Sequence, residues 1–159
     1  MNLYIVAAGK VKEAWLRDGI QEYQKRLRPY VDLEIIEVQD AADSDNPDKE
    51  RQEESDRMWA RVEKNPALAR SYKIALDLHG KSFNSEDMAP MFEKAFDLGG
   101  ASVSLFIAGS LGYGENFLNK MDMRLSLGPS TFPHQLCRLL LLEQVYRSFK
   151  IMRNEKYHK

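Results

Sequence analysis

A single cysteine, Cys137, rules out an intrachain disulfide, and its place among leucines marks it as a small buried hydrophobe more than a nucleophile. Long apolar runs are missing as well. The longest, Leu3–Ala8 and Leu139–Leu142, fall far short of the roughly 20 residues a membrane span needs. The opening residues lack a basic stretch ahead of their apolar run, so they read as a first strand and not as a signal peptide; a cytoplasmic protein is expected. Net charge is nearly absent too, at −1, which removes the simplest electrostatic argument for nucleic-acid binding.

What is present is ordinary in amount and uneven in distribution. With 43% hydrophobic and 30% charged residues, the 159-residue chain is expected to fold as one domain over residues 1–159, without disulfides or metal. Between Asp32 and Asp56 eleven acidic residues face only Lys49 and Arg51, whereas Gln135–Lys159 holds six Lys/Arg against Glu143 and Glu155. The basic segment fits phosphate contact and fits a solvated helix end about equally well.

Five short apolar segments read as strands: Leu3–Ala8, Leu33–Val38, Tyr72–Leu78, Ser102–Ala108 and Arg124–Leu127. Helices are expected between them. The first runs from Lys12 to Leu27, with Trp15, Ile20, Tyr23 and Leu27 near one stripe and Pro29 against its continuation. Others span Pro47 to about Lys64, Ser85–Leu98 and, briefly, Gly114 to about Met121; a long final helix opens at Pro133. Strands alternating with helices imply an α/β fold, a mostly parallel sheet with helices on both faces. Ligands gather beyond the carboxyl ends of such strands, which directs attention to Asp77–Lys81, Gly109–Gly114 and Gly128–Pro133.

The first glycine loop, Gly109-Ser110-Leu111-Gly112-Tyr113-Gly114, is expected to let backbone approach a ligand and to supply free N–H groups. Its spacing is not that of a dinucleotide fingerprint, and Gly9-Lys10 lacks the remaining parts of a P-loop. An empty tight turn explains this loop as well as a ligand does. In the second, Gly128-Pro129-Ser130-Thr131-Phe132-Pro133, two prolines stiffen a backbone suited to holding an adenine edge, or merely a helix entry. Leu136, Leu139, Leu140, Leu141, Leu142, Val145, Tyr146, Phe149 and Met152 cover more than one face of the final helix, and a homodimer is expected to bury the excess. Tyr157-His158-Lys159 reads by default as a frayed tail, although His158 carries the side chain best suited to proton transfer near neutral pH.

Leu125-Ser126, Thr131-Phe132-Pro133-His134-Gln135, Glu143-Gln144-Val145-Tyr146-Arg147 and Tyr157-His158-Lys159, taken together, resemble the SPOUT methyltransferases that modify N3 of a pseudouridine in bacterial ribosomal RNA. The likeness runs from Val6-Ala7-Ala8-Gly9-Lys10 through Glu22-Tyr23 and Ile35-Ile36-Glu37-Val38 to the last residue. It implies an α/β domain with a carboxyl-terminal trefoil knot, a topology that the general rarity of knots argues against. It implies S-adenosylmethionine held by Leu76, Ala108, Gly109, Leu127, Gly128, Pro129, Ser130, Thr131 and Phe132. The implied target is helix 69 of 23S ribosomal RNA on the assembled ribosome, with His158 as general base, Tyr157 orienting it and Arg147 stabilising charge on the uracil carbonyls. Ala108 stands where relatives generally have glycine, and Lys156 where they often have proline. A non-catalytic ribosome-binding module and a small-molecule enzyme of ordinary doubly wound type are the competing readings.

Overall fold

Along the first strand Leu3, Ile5 and Ala7 join one apolar cluster and Tyr4, Val6 and Ala8 another, and all six are buried, as in a strand covered on both faces. The computed structural model describes Met1–Lys159 and contains five strands: β1 (Asn2–Ala8), β2 (Asp32–Val38), β3 (Tyr72–Ser82), β4 (Ser102–Ile107) and β5 (Met123–Ser126). All pair in parallel, in the order β2-β1-β4-β3-β5. One face carries α1 (Ala14–Leu27), α4 (Ser85–Leu98) and α5 (His134–Met152); the other carries α2 (Pro47–Lys64) and α3 (Pro66–Arg70). The α/β expectation holds.

Side-chain caps fix where helices begin. Asn46 accepts from the Lys49 N–H, Asn65 from those of Ala67 and Leu68, and Asn84 from that of Asp87, each worth about 1 kcal/mol. The buried stripe of α1 is Leu16, Ile20 and Leu27, whereas Trp15, expected on that stripe, is 64% exposed. Placing Leu16 inward rotates its neighbour out by one position on the helix. The helix expected over Gly114–Met121 is reduced to a three-residue 3-10 turn, Leu118–Lys120, after a left-handed Asn116 (φ 65°). The short α3 was not anticipated, and β3 runs four residues beyond its expected end.

The long α5 leaves the sheet-edge strand β5 and packs between α1 and α4, burying Leu141, Leu142, Val145 and Phe149. Its Arg138 is 2% exposed and reaches toward the sheet edge opposite β5. One guanidinium nitrogen donates to Glu37 at 2.6 Å and the other to the Gly9 carbonyl at 3.0 Å, tying α5 to the ends of β2 and β1.

Candidate functional site

Beyond the carboxyl ends of β3, β4 and β5 lies a cavity of about 790 Å³. Leu76, Ala108, Gly109, Leu127, Gly128, Ser130, Thr131 and Phe132 all line it; Pro129 does not. Asp77, Leu78, His79, Tyr113, His134 and Cys137 line it as well, residues that the resemblance did not assign to the cofactor. The first three belong to a segment the strand-end rule had indicated.

Their placement comes from an interruption of the sheet. Leu76 and Lys81 both face Leu125 of β5, so Asp77–Gly80 leaves the ladder and returns to it. The Asp77 carboxylate accepts from the His79 N–H at 3.2 Å, which shapes the turn. At Gly80 an added Cβ would lie 2.6 Å from the Arg124 backbone, so the return to β5 requires glycine. Below this excursion the Tyr113 hydroxyl sits between two carbonyl oxygens, Leu76 at 2.7 Å and Phe106 at 2.8 Å, and its ring stacks on Phe117. Burial first, then the neighbouring Asp77 charge, push the Tyr113 hydroxyl far above the ordinary tyrosine range, so it remains a donor that clamps the ends of β3 and β4.

The expectation of free amides holds for part of each glycine loop: the glycine amides are bonded within the chain, and those of Ser110, Leu111, Tyr113, Ser130, Thr131 and Phe132 are not. The Gly109 N–H donates to Glu54 of α2 at 2.9 Å, the Gly114 N–H to the buried Ser55 hydroxyl at 2.7 Å, and the Gly112 N–H to the Gly109 carbonyl at 3.0 Å. In the second loop the Gly128 N–H, at φ 120°, donates to Ser126 Oγ at 3.1 Å. The glycine amides are thereby committed to holding the loops in shape. Among the cavity-lining residues there is also no lysine or arginine, and Asp77 is the one carboxylate. A largely apolar wall with one carboxylate and no lysine or arginine suits a mainly apolar ligand that carries positive charge. His134 adds a buried Nε2 with no partner, the kind of orphaned polar atom that a ligand satisfies.

Cys137 is unpaired as expected, and burial raises its thiol pKa. Its Sγ lies 3.8 Å from the Phe132 carbonyl.

Tyr157, His158 and Arg147 are brought together, but not at this cavity. The tail is docked, not frayed. Tyr157 donates to Glu143 at 3.1 Å, meets the Tyr23 hydroxyl at 3.3 Å, and lies beneath the Arg147 guanidinium at 4.7 Å. Burial and the hydroxyl of Tyr23 hold its phenol well above the usual range. Arg147 is anchored by Glu143 at 3.0 Å and donates to His158 Nδ1 at 3.2 Å. A guanidinium only donates, so the His158 proton sits on Nε2, 3.3 Å from Glu86. Ten residues of α5 separate Arg147 from the cavity-lining Cys137, about 15 Å at the helical rise. Within one chain the expected cofactor residues and the expected proton-transfer residues form two separate groups.

Such a parallel sheet, with a stiff ligand cavity at its carboxyl edge, defines a member of the α/β class with a small-molecule pocket. The family model described as "Predicted SPOUT methyltransferase" matches residues 1–158, and the chain belongs to the SPOUT methyltransferase family. It is 44% identical to the ribosomal RNA large subunit methyltransferase H of Carboxydothermus hydrogenoformans, with all of both chains covered. The proteins of that name from Fusobacterium nucleatum and Acetivibrio thermocellus are each 43% identical, again over the full length of both chains.

Proposed function

We propose that the protein is a homodimeric S-adenosylmethionine-dependent methyltransferase that methylates N3 of a pseudouridine in helix 69 of 23S ribosomal RNA, on the assembled ribosome. The observation that carries this reading is the cavity itself, which is largely apolar, has no lysine or arginine and has Asp77 as its one carboxylate. S-adenosylmethionine is mainly apolar around its adenine, bears a cationic sulfonium and has no phosphate, so the residues present fit it. Leu76, Ala108 and Leu127–Phe132 would hold it, with His134 offering its free ring nitrogen. The bound cofactor supplies an activated methyl group.

The chain's own residues then have two tasks. The stiff loops would hold the cofactor in one place so that the acceptor can be positioned against it, and positioning of this kind supplies much of the acceleration. The acceptor's N3 proton must also be removed, a step in which a positioned base gives roughly 10²- to 10⁴-fold. His158, Tyr157 and Arg147 are the proposed group, delivered to the cavity of a second copy. Support comes from the 15 Å spacing along α5 and from the apolar surface left uncovered by one chain. Trp15 on α1 is largely exposed, and Leu136, Leu139 and Leu140 on α5 are only half-buried. A stable interface of at least about 1,200 Å² would cover such a face. The return of α5 from the edge strand to the middle of the sheet supports threading through a trefoil knot.

The test is methyl transfer from labelled S-adenosylmethionine to free 23S RNA, to large subunits and to assembled ribosomes. Label on N3 of the helix 69 pseudouridine, from ribosomes above all, is expected. Ribosome binding without transfer would replace this reading with a non-catalytic binding module.

A further inference from the structure

Asp77 is the single acidic side chain in the cavity wall and has no cationic partner. Of the two lysines four residues away, Lys81 lies with its ammonium 4.9 Å over the Phe83 ring, Lys73 donates to the Ala69 and Ser71 carbonyls, and neither lines the cavity. The other carboxylate near the loops, Glu54, is committed to two backbone amides, Gly109 at 2.9 Å and Ala41 at 3.4 Å. Asp77 accepts only one hydrogen bond, on Oδ1, from the amide two residues on in its own turn. Its second oxygen accepts none within the chain. The excursion from β3 holds it in place: the sheet resumes at Lys81, and the glycine at position 80 lets the backbone press against β5.

On the proposed function rests a more specific inference. We infer that Asp77 reads the positive charge of the methyl donor, so that the site holds the charged cofactor more tightly than the uncharged product left after transfer. Transfer forms the N–C bond at the acceptor and breaks the C–S bond. The electron pair stays on sulfur, the sulfonium becomes a neutral thioether, and the acceptor's proton goes to the base. One positive charge therefore leaves the cavity, while size and apolar contacts change by one methyl group. In a partly buried site the attraction between a carboxylate and a nearby cation outweighs what one methyl contact supplies. Asp77 is in this sense a specificity-determining residue: it favours entry of substrate cofactor and exit of spent cofactor.

The experiment is calorimetry of the full-length protein with three probes: S-adenosylmethionine, S-adenosylhomocysteine, and sinefungin, which carries an ammonium where the sulfonium stands. The wild type is expected to bind the two cationic probes about tenfold more tightly than S-adenosylhomocysteine, a difference of about 1.4 kcal/mol. Asp77→Asn keeps the oxygen that accepts the His79 N–H, so the turn and the fold are retained. It should weaken both cationic probes about tenfold, leave S-adenosylhomocysteine within about twofold of the wild-type affinity, and so abolish the preference. Equal weakening of all three probes, or no weakening of the cationic two, overturns the inference while leaving the methyltransferase reading intact. Failure of the wild type to bind any of the three overturns both.

Discussion

The two ends of α5 are built on different principles. At the His134 end the wall is largely backbone: glycine turns held by their own amides and a tyrosine clamp, assembled around a cavity. At the Arg147 end it is side chain: Glu143, Arg147, Tyr157, Tyr23, His158 and Glu86 hold one another in a chain of polar and aromatic contacts. Backbone architecture suits a ligand that must be held the same way every time. A side-chain network with a docked tail suits groups that must leave one set of partners and take up another, since no helix or strand has to break when they move.

The sharpest way to break this comparison is to remove one end and ask whether the other notices. Deleting Tyr157–Lys159 is expected to lower methyl transfer to ribosomes by more than about 10²-fold, with cofactor affinity measured by calorimetry unchanged. A truncated protein that transfers methyl at the wild-type rate would return the tail to a structural role. The converse is Gly128→Trp. A Cβ there meets no protein atom within 4 Å, so a larger side chain starts from open space at the cavity wall. The positive φ of 120° strains the loop, at a cost of about 1–3 kcal/mol. Cofactor binding should fall below detection while the tail contacts and the far-ultraviolet circular dichroism persist; unchanged affinity would detach this loop from the site.

A smaller effect joins the two ends. Leu140→Asp, on the half-buried face of α5, is expected to shift light scattering from two chains to one at micromolar concentration. Transfer should fall with it and cofactor affinity should stay within a few-fold. Retained transfer by a monomer would mean that both groups meet within one chain. The smallest effect concerns Cys137, whose burial-raised thiol pKa predicts slow alkylation at pH 8. Bound S-adenosylmethionine should slow it several-fold further, as measured by mass spectrometry, and no protection would place the cofactor away from this wall.

The inner strands β1 and β4 were legible because burial on both faces writes each as a short, mostly apolar run, and the cavity's location followed from strand polarity. Other features were hidden for identifiable reasons. The Asp77–Gly80 excursion reads in sequence as the ragged end of a strand, since the partner it leaves and rejoins, Leu125, lies far along the chain. The amides of Gly109 and Gly114 looked free because their acceptors, Glu54 and Ser55, stand 55 and 59 residues earlier. Docking of the tail depends on Tyr23 and Glu86, from helices whose neighbourhood no local pattern reveals. Trp15 was misplaced because it and Leu16 fit a helical stripe almost equally, and only packing decides between them.

Arg138 sets a timetable as well as a position. Its partners Glu37 and Gly9 precede it by 101 and 129 residues, so the guanidinium can be neutralised only after nearly the whole sequence has been synthesised. Until then Glu37 and the end of β1 wait, and the loop to be closed is among the longest the chain allows. Contacts of such sequence separation slow folding, which makes the seating of this one arginine a natural late event. On a translating ribosome the amino-terminal strands would emerge long before the helix that locks them.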